Sequence, residues 1–169
     1  SLGHHMSPFN FEDPNFLHRE YETLQAYGQS KTACNLFSLE LDNRIKAYNI
    51  RAYSLHPGSI GGTELGREAS VELFQKMGFL DAEGNMLPEV AARLKSIPQG
   101  AATTIWCATS PLLDHIGGVY CEDADIAPLA SEESIGIYGV QPYSLDETNA
   151  KKLWDLSEQM TGVSLASVN

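Results

Sequence analysis

The sequence predicts an α/β chain that carries only part of its sheet. Three observations point there. Helix-like and strand-like segments alternate in the order helix–strand–helix–helix–strand–helix. The two strand-like runs are Ile50–His56, which stops at a Pro-Gly turn, and Ile116–Tyr120, which follows a turn of small residues. Two strands are too few for a parallel sheet, which needs both faces covered and its edges paired. The pattern therefore reads as the second half of a larger α/β domain whose first strands are missing from this chain.

Composition bounds the rest. The 169 residues fit one domain with enough chain to bury a core. A hydrophobic fraction of 43% and a charged fraction of 20% describe an ordinary globular chain. The net charge of −11 argues against nucleic acid or an anionic membrane as partner, since both need a basic patch. No run approaches the ~18 apolar residues of a membrane span, and no signal peptide opens the chain. Cys34, Cys107 and Cys121 are odd in number and widely spaced, with neither a metal-ligand pattern nor a disulfide framework. They read as buried thiols in a reducing, cytoplasmic compartment.

In chain order, residues 1–26 read as an irregular loop. Its turn formers Pro8, Asn10, Asp13, Pro14 and Asn15 alternate with Phe9, Phe11, Phe16 and Leu17, which pack onto a neighbouring body. His4-His5 reads as a tag remnant or a surface pair, since no third ligand stands at a metal-binding spacing. The spacing predicts a helix from Ala26 to Tyr48, with Tyr27, Lys31, Cys34, Phe37, Leu41 and Ile45 on one side and with Glu40, Asp42, Arg44 and Lys46 bringing the far end to water. Asn49 breaks it. After the first strand comes a glycine-bearing loop, Ser59-Ile60-Gly61-Gly62, and Thr63 is an N-cap for a helix to Met77 with Gly78 just past its end. A loop over 81–88, a short helix Pro88–Ser96, punctuation at Ile97–Gly100 and a helix Ala101–Ala108 follow. Residues 122–143 read as an acidic loop in which Glu122, Asp123 and Asp125 are solvated, not cation ligands. Ser144-x-x-Glu147 reads as a capping box opening a helix that carries Leu153, Trp154, Leu156 and Met160; Trp106 and Trp154 read as core. The tail after Gly162 reads as frayed.

The chemistry centres on Tyr27-Gly28-Gln29-Ser30-Lys31. A Tyr and a Lys four positions apart on a helix lie one above the other. A nearby ammonium favours the phenolate, which makes an otherwise weak acid–base group usable at a carbonyl or alcohol. Alone, a Tyr-x-x-x-Lys match decides nothing; its place before a strand, a Pro-Gly loop and a capped helix gives it weight. A loop beyond a strand's carboxyl end is where open α/β sheets bind ligands, and glycines there let a backbone approach a bulky group.

In this order the pieces Ala26-Tyr27-Gly28-Gln29-Ser30-Lys31, His56-Pro57-Gly58-Ser59-Ile60, Thr63-Glu64-Leu65-Gly66-Arg67 and Gly100-Ala101-Ala102-Thr103 resemble the short-chain dehydrogenase/reductase family. The resemblance is closest to its retinol-dehydrogenase-like and WW-domain-oxidoreductase-like branch, and it runs from Ser1-Leu2-Gly3-His4-His5 to Leu153–Glu158. It implies the C-terminal half of a Rossmann-type, doubly wound parallel sheet, with residues 1–169 as a partial NAD(P)-binding domain. It implies an NAD(P)-dependent oxidoreductase that interconverts an alcohol and a carbonyl by hydride transfer, with NADP slightly favoured over NAD. Tyr27 would be the general acid/base. Lys31 would lower its pKa and hold the nicotinamide-ribose hydroxyls, and Ser1 would polarise the substrate oxygen, with Ser7 and Ser30 as fallback hydroxyls. Pro57, Gly58, Ser59 and Ile60 would shape the loop beside the nicotinamide, and Thr63 would approach the cofactor's amide or phosphates. No metal is implied. The family's Gly-x-x-x-Gly-x-Gly turn is absent from these residues, so the chain is expected to be part of a protein of roughly 300 residues.

Other readings stand beside this one: a non-catalytic cofactor sensor or scaffold on the same fold, an inactive truncated product, or a nucleotide-sugar epimerase or dehydratase using the same Tyr/Lys pair. The resemblance also implies a homodimer contact through the Tyr27–Tyr48 helix. Phe74, Met77, Phe79 and Leu80 suggest an apolar lid over a small alcohol or carbonyl substrate.

Overall fold

A computed structural model describes residues 1–165, and in it a 23-residue helix, α1 (Thr23–Ile45), is the element that most others touch. It starts three residues earlier than expected because the Glu22 carboxylate caps it, accepting the Gln25 N–H at 2.6 Å. A 3-10 turn, Lys46–Tyr48, carries the chain to Asn49, whose left-handed backbone (φ 58) ends the helix where the sequence placed the break.

The buried side of α1 is not the apolar stripe. It carries Gly28, Gln29, Thr32, Asn35, Leu36, Glu40 and Asp42, whereas Cys34 and Phe37 face outward. The reason is what packs there. Irregular backbone from the first twenty residues needs hydrogen-bond partners once it is buried, and α1 supplies them: Gln29 donates to the Pro14 carbonyl at 2.7 Å and Thr32 to the Ser7 carbonyl at 2.7 Å. Glu40 and Asp42, expected in water, are both buried; Asp42 accepts two Arg51 N–H groups at 2.9 and 2.6 Å and the Ala52 N–H at 3.0 Å. The apolar core lies one face away, where Leu36 meets Ala150 and Leu153 of α5 (Glu147–Thr161), with Phe9 and Phe11 of the first loop packed against them. Leu17 stays exposed.

One three-stranded sheet is present among the described residues, in the order β1 (Ser54–His56), β2 (Tyr120–Glu122), β3 (Asp125–Ile126). The α/β class holds, and the sheet is mixed: β1 and β2 are parallel, with Ser54 opposite Tyr120, while β2 and β3 are antiparallel. β1 is shorter than the Ile50–His56 run because Arg51 and Ala52 are engaged by Asp42. β2 begins later than expected because His115 and Gly118 are both left-handed (φ 69 each), which keeps that stretch from extending. β3 lies within the stretch 122–143 expected as loop; its two-residue turn, Asp123-Ala124, has positive φ at both residues without the usual glycine.

Between the two parallel strands, the single helix expected over 63–77 is split. A 3-10 turn covers Glu64–Gly66, and Ser70 caps a separate α2 (Val71–Lys76), with Gly78 left-handed beyond its end. The next helix, α3, is only Pro88–Ala91. The expected punctuation at 97–100 is instead the first turn of α4 (Ile97–Thr109): Ser96 and Gln99 form a capping box, and Pro98 sits where its missing N–H costs nothing. Asp146, not Ser144, caps α5, accepting the Asn149 N–H at 2.7 Å, and Ser144 is buried in a preceding 3-10 turn, Pro142–Leu145. Trp154 is buried as expected and stacks on Phe37 at 5.1 Å, whereas Trp106 is half-buried and Met160 faces outward. Of the tail read as frayed, residues 166–169 lie outside the described residues.

Candidate active site

The first residue and the start of α1 meet at the carboxyl end of β1. The Ser1 amino group donates to the Leu55 carbonyl at 2.7 Å, which anchors the chain's opening beside the strand. From there the Ser1 hydroxyl reaches the Tyr27 phenol oxygen at 3.2 Å, and the Gly3 N–H donates to Ser1 Oγ at 3.1 Å. That third contact occupies a lone pair of the serine oxygen and leaves its proton free to point at Tyr27. One turn along α1, the Lys31 ammonium lies 5.2 Å from the Tyr27 ring centroid. Two hydroxyls and an ammonium, two of them on α1 and one from the opening turn, are thus brought together.

Two glycines make the approach possible. A Cβ at Gly3 would stand 2.3 Å from Tyr27 Cε1 and 3.2 Å from Lys31 Cγ, so the backbone of the opening turn lies directly on the tyrosine ring. A Cβ on Gly28 would come within 2.7 Å of the Ser7 nitrogen, so the next residue along the helix receives the same loop. Neither glycine was singled out from sequence, because each is defined by a contact more than twenty positions away.

His4 and His5 are neither a tag remnant nor a surface pair. The His4 ring is fully buried between the Ser1 carbonyl (2.7 Å from Nδ1) and the Gln141 N–H (3.1 Å from Nε2). Burial pulls its pKa down to about 4, against the hydrogen bond to Ser1. His5 bridges the Gly139 carbonyl (2.9 Å) and the Gly136 N–H (2.8 Å). The only signal in the sequence was their adjacency; apart from the Ser1 carbonyl, their ring partners lie more than 130 positions away. Glu122, expected in solvent, is buried beside them, where it accepts the Gly139 N–H at 2.7 Å and burial raises its pKa.

The loop after β1 starts two residues beyond the Leu55 carbonyl that holds Ser1. Gly58 takes φ +90, which only glycine adopts without strain, and the Lys95 side chain lies across it. Lys95 also donates its N–H to the Ser59 carbonyl at 2.8 Å, and its ammonium pairs with Asp123 at the β2–β3 turn. The Ile60 side chain rests on Gly100 of α4. Pro57, Gly58, Ser59 and Ile60 are therefore held at the same end of the sheet as the Ser1–Tyr27 pair. Thr63 is not gathered in: it is exposed and makes no side-chain cap hydrogen bond. Ser7 turns its hydroxyl to the Pro8 carbonyl (2.8 Å), and exposed Ser30 donates back to the Tyr27 carbonyl (2.7 Å), so neither fallback hydroxyl joins the pair.

His56, the last residue of β1, has a buried Nδ1 without a hydrogen-bond partner among the described residues, and burial, followed by neighbouring positive charge, lowers its pKa to about 4. The expected lid residues Phe74 and Phe79 pack on each other, 6.2 Å between ring centres. Among the described residues, no group of three or more His, Cys, Asp or Glu is placed to hold a metal ion, and no helix is long and apolar enough to cross a membrane. Of the three thiols read as buried, only Cys121 is; Cys107 is half-buried and Cys34 exposed.

A hydroxyl pair and a neighbouring ammonium at the carboxyl end of a parallel strand are equipped to move a proton at an alcohol or a carbonyl. Several known proteins that this chain is similar to are named as oxidoreductases or dehydrogenases. The chain is 39% identical over 156 residues to a protein of Streptomyces lividans named as a probable oxidoreductase, covering 92% of this chain and 51% of that protein. It is 38% identical over 165 residues to short-chain dehydrogenase/reductase prx1 of Penicillium roqueforti, covering 97% and 46%, and 33% identical over 157 residues to human retinol dehydrogenase 14, covering 91% and 40%. No family model matches. The crystal structure of an uncharacterized protein from Mycobacterium paratuberculosis shares the fold with a TM-score of 0.52 at 24% identity, over 98% of this chain and 49% of that one. The chain is thus a relative of the short-chain dehydrogenases/reductases, as the resemblance implied. It spans about half the length of the curated relatives it matches.

Proposed function

We propose that this chain is the catalytic and substrate-side half of an NAD(P)-dependent oxidoreductase that interconverts an alcohol and a carbonyl. The observation that carries the reading is the 3.2 Å contact between Ser1 Oγ and Tyr27 Oη with Lys31 alongside. Tyr27 holds the proton that the substrate oxygen gains or gives up. Ser1, with one lone pair taken by the Gly3 N–H, turns its own proton toward that oxygen or toward a Tyr27 phenolate. Lys31 places a positive charge one turn from the phenol, its ammonium 5.2 Å from the ring centroid.

Residues present here fit the nicotinamide-ribose end of the cofactor. Tyr27 and Lys31 supply hydroxyl and ammonium donors, Pro57, Gly58, Ser59 and Ile60 lie at the same end of the sheet, and a Cβ at Gly62 would meet nothing within 4 Å, so that part of the loop is open. When bound, the nicotinamide supplies or accepts the hydride. No residues for the pyrophosphate and adenosine are present as a glycine-rich turn in this sequence, and NADP is taken as slightly favoured over NAD from the family resemblance. A cytoplasmic location goes with this reading. So does a homodimer through α1, supported by the outward-facing Cys34 and Phe37, which line a shallow groove with Leu153 and Ser157 of α5.

Nicotinamide absorbance followed with a panel of alcohols, aldehydes and ketones tests the proposal. Turnover of at least one is expected. Cofactor binding without turnover of any would replace the enzyme reading with a sensor.

A further inference from the structure

We infer that His4 is a positioning residue: as a neutral, Nδ1-protonated ring it locks the Ser1 backbone to Gln141 and so keeps the Ser1 hydroxyl in register with Tyr27. This rests on the proposed roles of Ser1 and Tyr27 and adds a residue to them.

The tautomer follows from the partners. A carbonyl oxygen only accepts, so the His4 nitrogen 2.7 Å from the Ser1 carbonyl carries the proton. A backbone N–H only donates, so the nitrogen 3.1 Å from the Gln141 N–H carries the lone pair. Protonating that second nitrogen would set two N–H groups against each other inside a ring that is 0% exposed. Packing leaves no rotation to relieve this: the His5 ring stands edge-on at 4.4 Å and the Tyr120 ring at 4.8 Å. The backbone of His4 is tied just as firmly. Its carbonyl accepts from Tyr143 Oη at 2.6 Å and lies 3.3 Å from Thr32 Oγ1, a marginal second contact for a hydroxyl whose proton goes to the Ser7 carbonyl at 2.7 Å. One residue thus connects the opening turn to α1, to the 141–143 segment and to Ser1.

The link to chemistry is short. Ser1 has its nitrogen fixed by Leu55 and its hydroxyl shared between Gly3 and Tyr27. Among the described residues, its carbonyl is otherwise held only by the His4 N–H at 3.3 Å, a marginal bond. Losing the ring contact frees the Ser1–Leu2 peptide plane, and the hydroxyl moves with it.

Two measurements test this. Long-range proton–nitrogen spectra of ring-labelled histidine in the chain, with the resonance assigned by its loss in His4→Asn, are expected to show a neutral Nδ1–H tautomer that persists as pH falls well below the ordinary histidine range. An Nε2–H tautomer, or titration within the ordinary histidine range, overturns the inference. Kinetics of two variants then separate positioning from folding. The side-chain amide of His4→Asn overlays Nδ1 and keeps a donor for Ser1, whereas that of His4→Gln overlays Nε2 and keeps only the Gln141 side. Retained kcat in His4→Asn and about a tenfold to hundredfold lower kcat in His4→Gln, with KM little changed, is the expected pattern. Equal losses that track the thermal midpoint overturn the positioning role. A wild-type protein that turns over no alcohol or carbonyl removes the reaction itself, an outcome the tautomer spectrum does not imitate.

Discussion

Replacing Gly3 with Ala probes the catalytic geometry through a single methyl group. The added carbon would sit 2.3 Å from Tyr27 Cε1 and 2.9 Å from Cδ1, where ordinary contact begins near 3.4 Å. The tyrosine ring therefore has to retreat by about 1 Å, and a displacement of that size at a reacting group costs about a hundredfold in rate, or about 2.7 kcal/mol of barrier. Lys31 Cγ, 3.2 Å from the same position, blocks the simplest sideways escape. Some of the strain also appears as lost stability, about 1–3 kcal/mol for overpacking. The assay is kcat by nicotinamide absorbance, read beside cofactor affinity and the thermal midpoint. The expected result is a large fall in kcat in a protein that still folds and binds cofactor. A Gly3→Ala protein turning over within about twofold of wild type would refute the placement of the opening turn on the Tyr27 ring.

Asp42→Asn leaves Arg51 without its carboxylate and is expected to lower stability by about 3 kcal/mol, somewhat less where the partly exposed guanidinium finds water, as urea unfolding would show. Burial alone would raise the Asp42 pKa, but Arg51 and the Ala52 N–H hold it below its ordinary value of 3.8; this contribution is complete at neutral pH and fades only as pH falls below that value. His4 acts earlier. Its folded pKa of about 4 lies below the ordinary 6.5, so the unfolded chain takes up protons first. Its share of the stability should drop by up to about 3 kcal/mol as pH falls from 6.5 toward 4 and level off below; His56, lowered by burial to the same value, adds a drop over the same window, so His4→Asn should remove about half of the fall, and an unchanged fall in that variant would contradict the buried neutral ring.

Much of the site's chain order was readable from residues alone, because it is local. Tyr27 and Lys31 share a helix face by spacing, and Pro57-Gly58 follows a strand by turn chemistry; the structure places those elements where the pattern put them. What could not be read is what depends on distant partners. The polar residues Gln29, Thr32 and Asp42 lie inward because buried loop backbone needs them, and no periodicity in α1 announces that. Pro98 and Gly100 look like a break, yet Ser96 and Gln99 turn them into a capped first turn. His4 and His5 looked dispensable because Gln141, Gly136 and Gly139 are invisible from the fourth position of a sequence.

The Tyr27 hydroxyl makes its described hydrogen bond only to Ser1, so Tyr27→Phe removes the proposed acid/base and leaves the packing of the ring intact. Hydride transfer measured in this variant beside wild type, at saturating cofactor and substrate, tests the proposal most directly. The predicted result is a rate reduced by about a hundredfold to ten-thousandfold with cofactor affinity and thermal midpoint retained; an unchanged rate would contradict it.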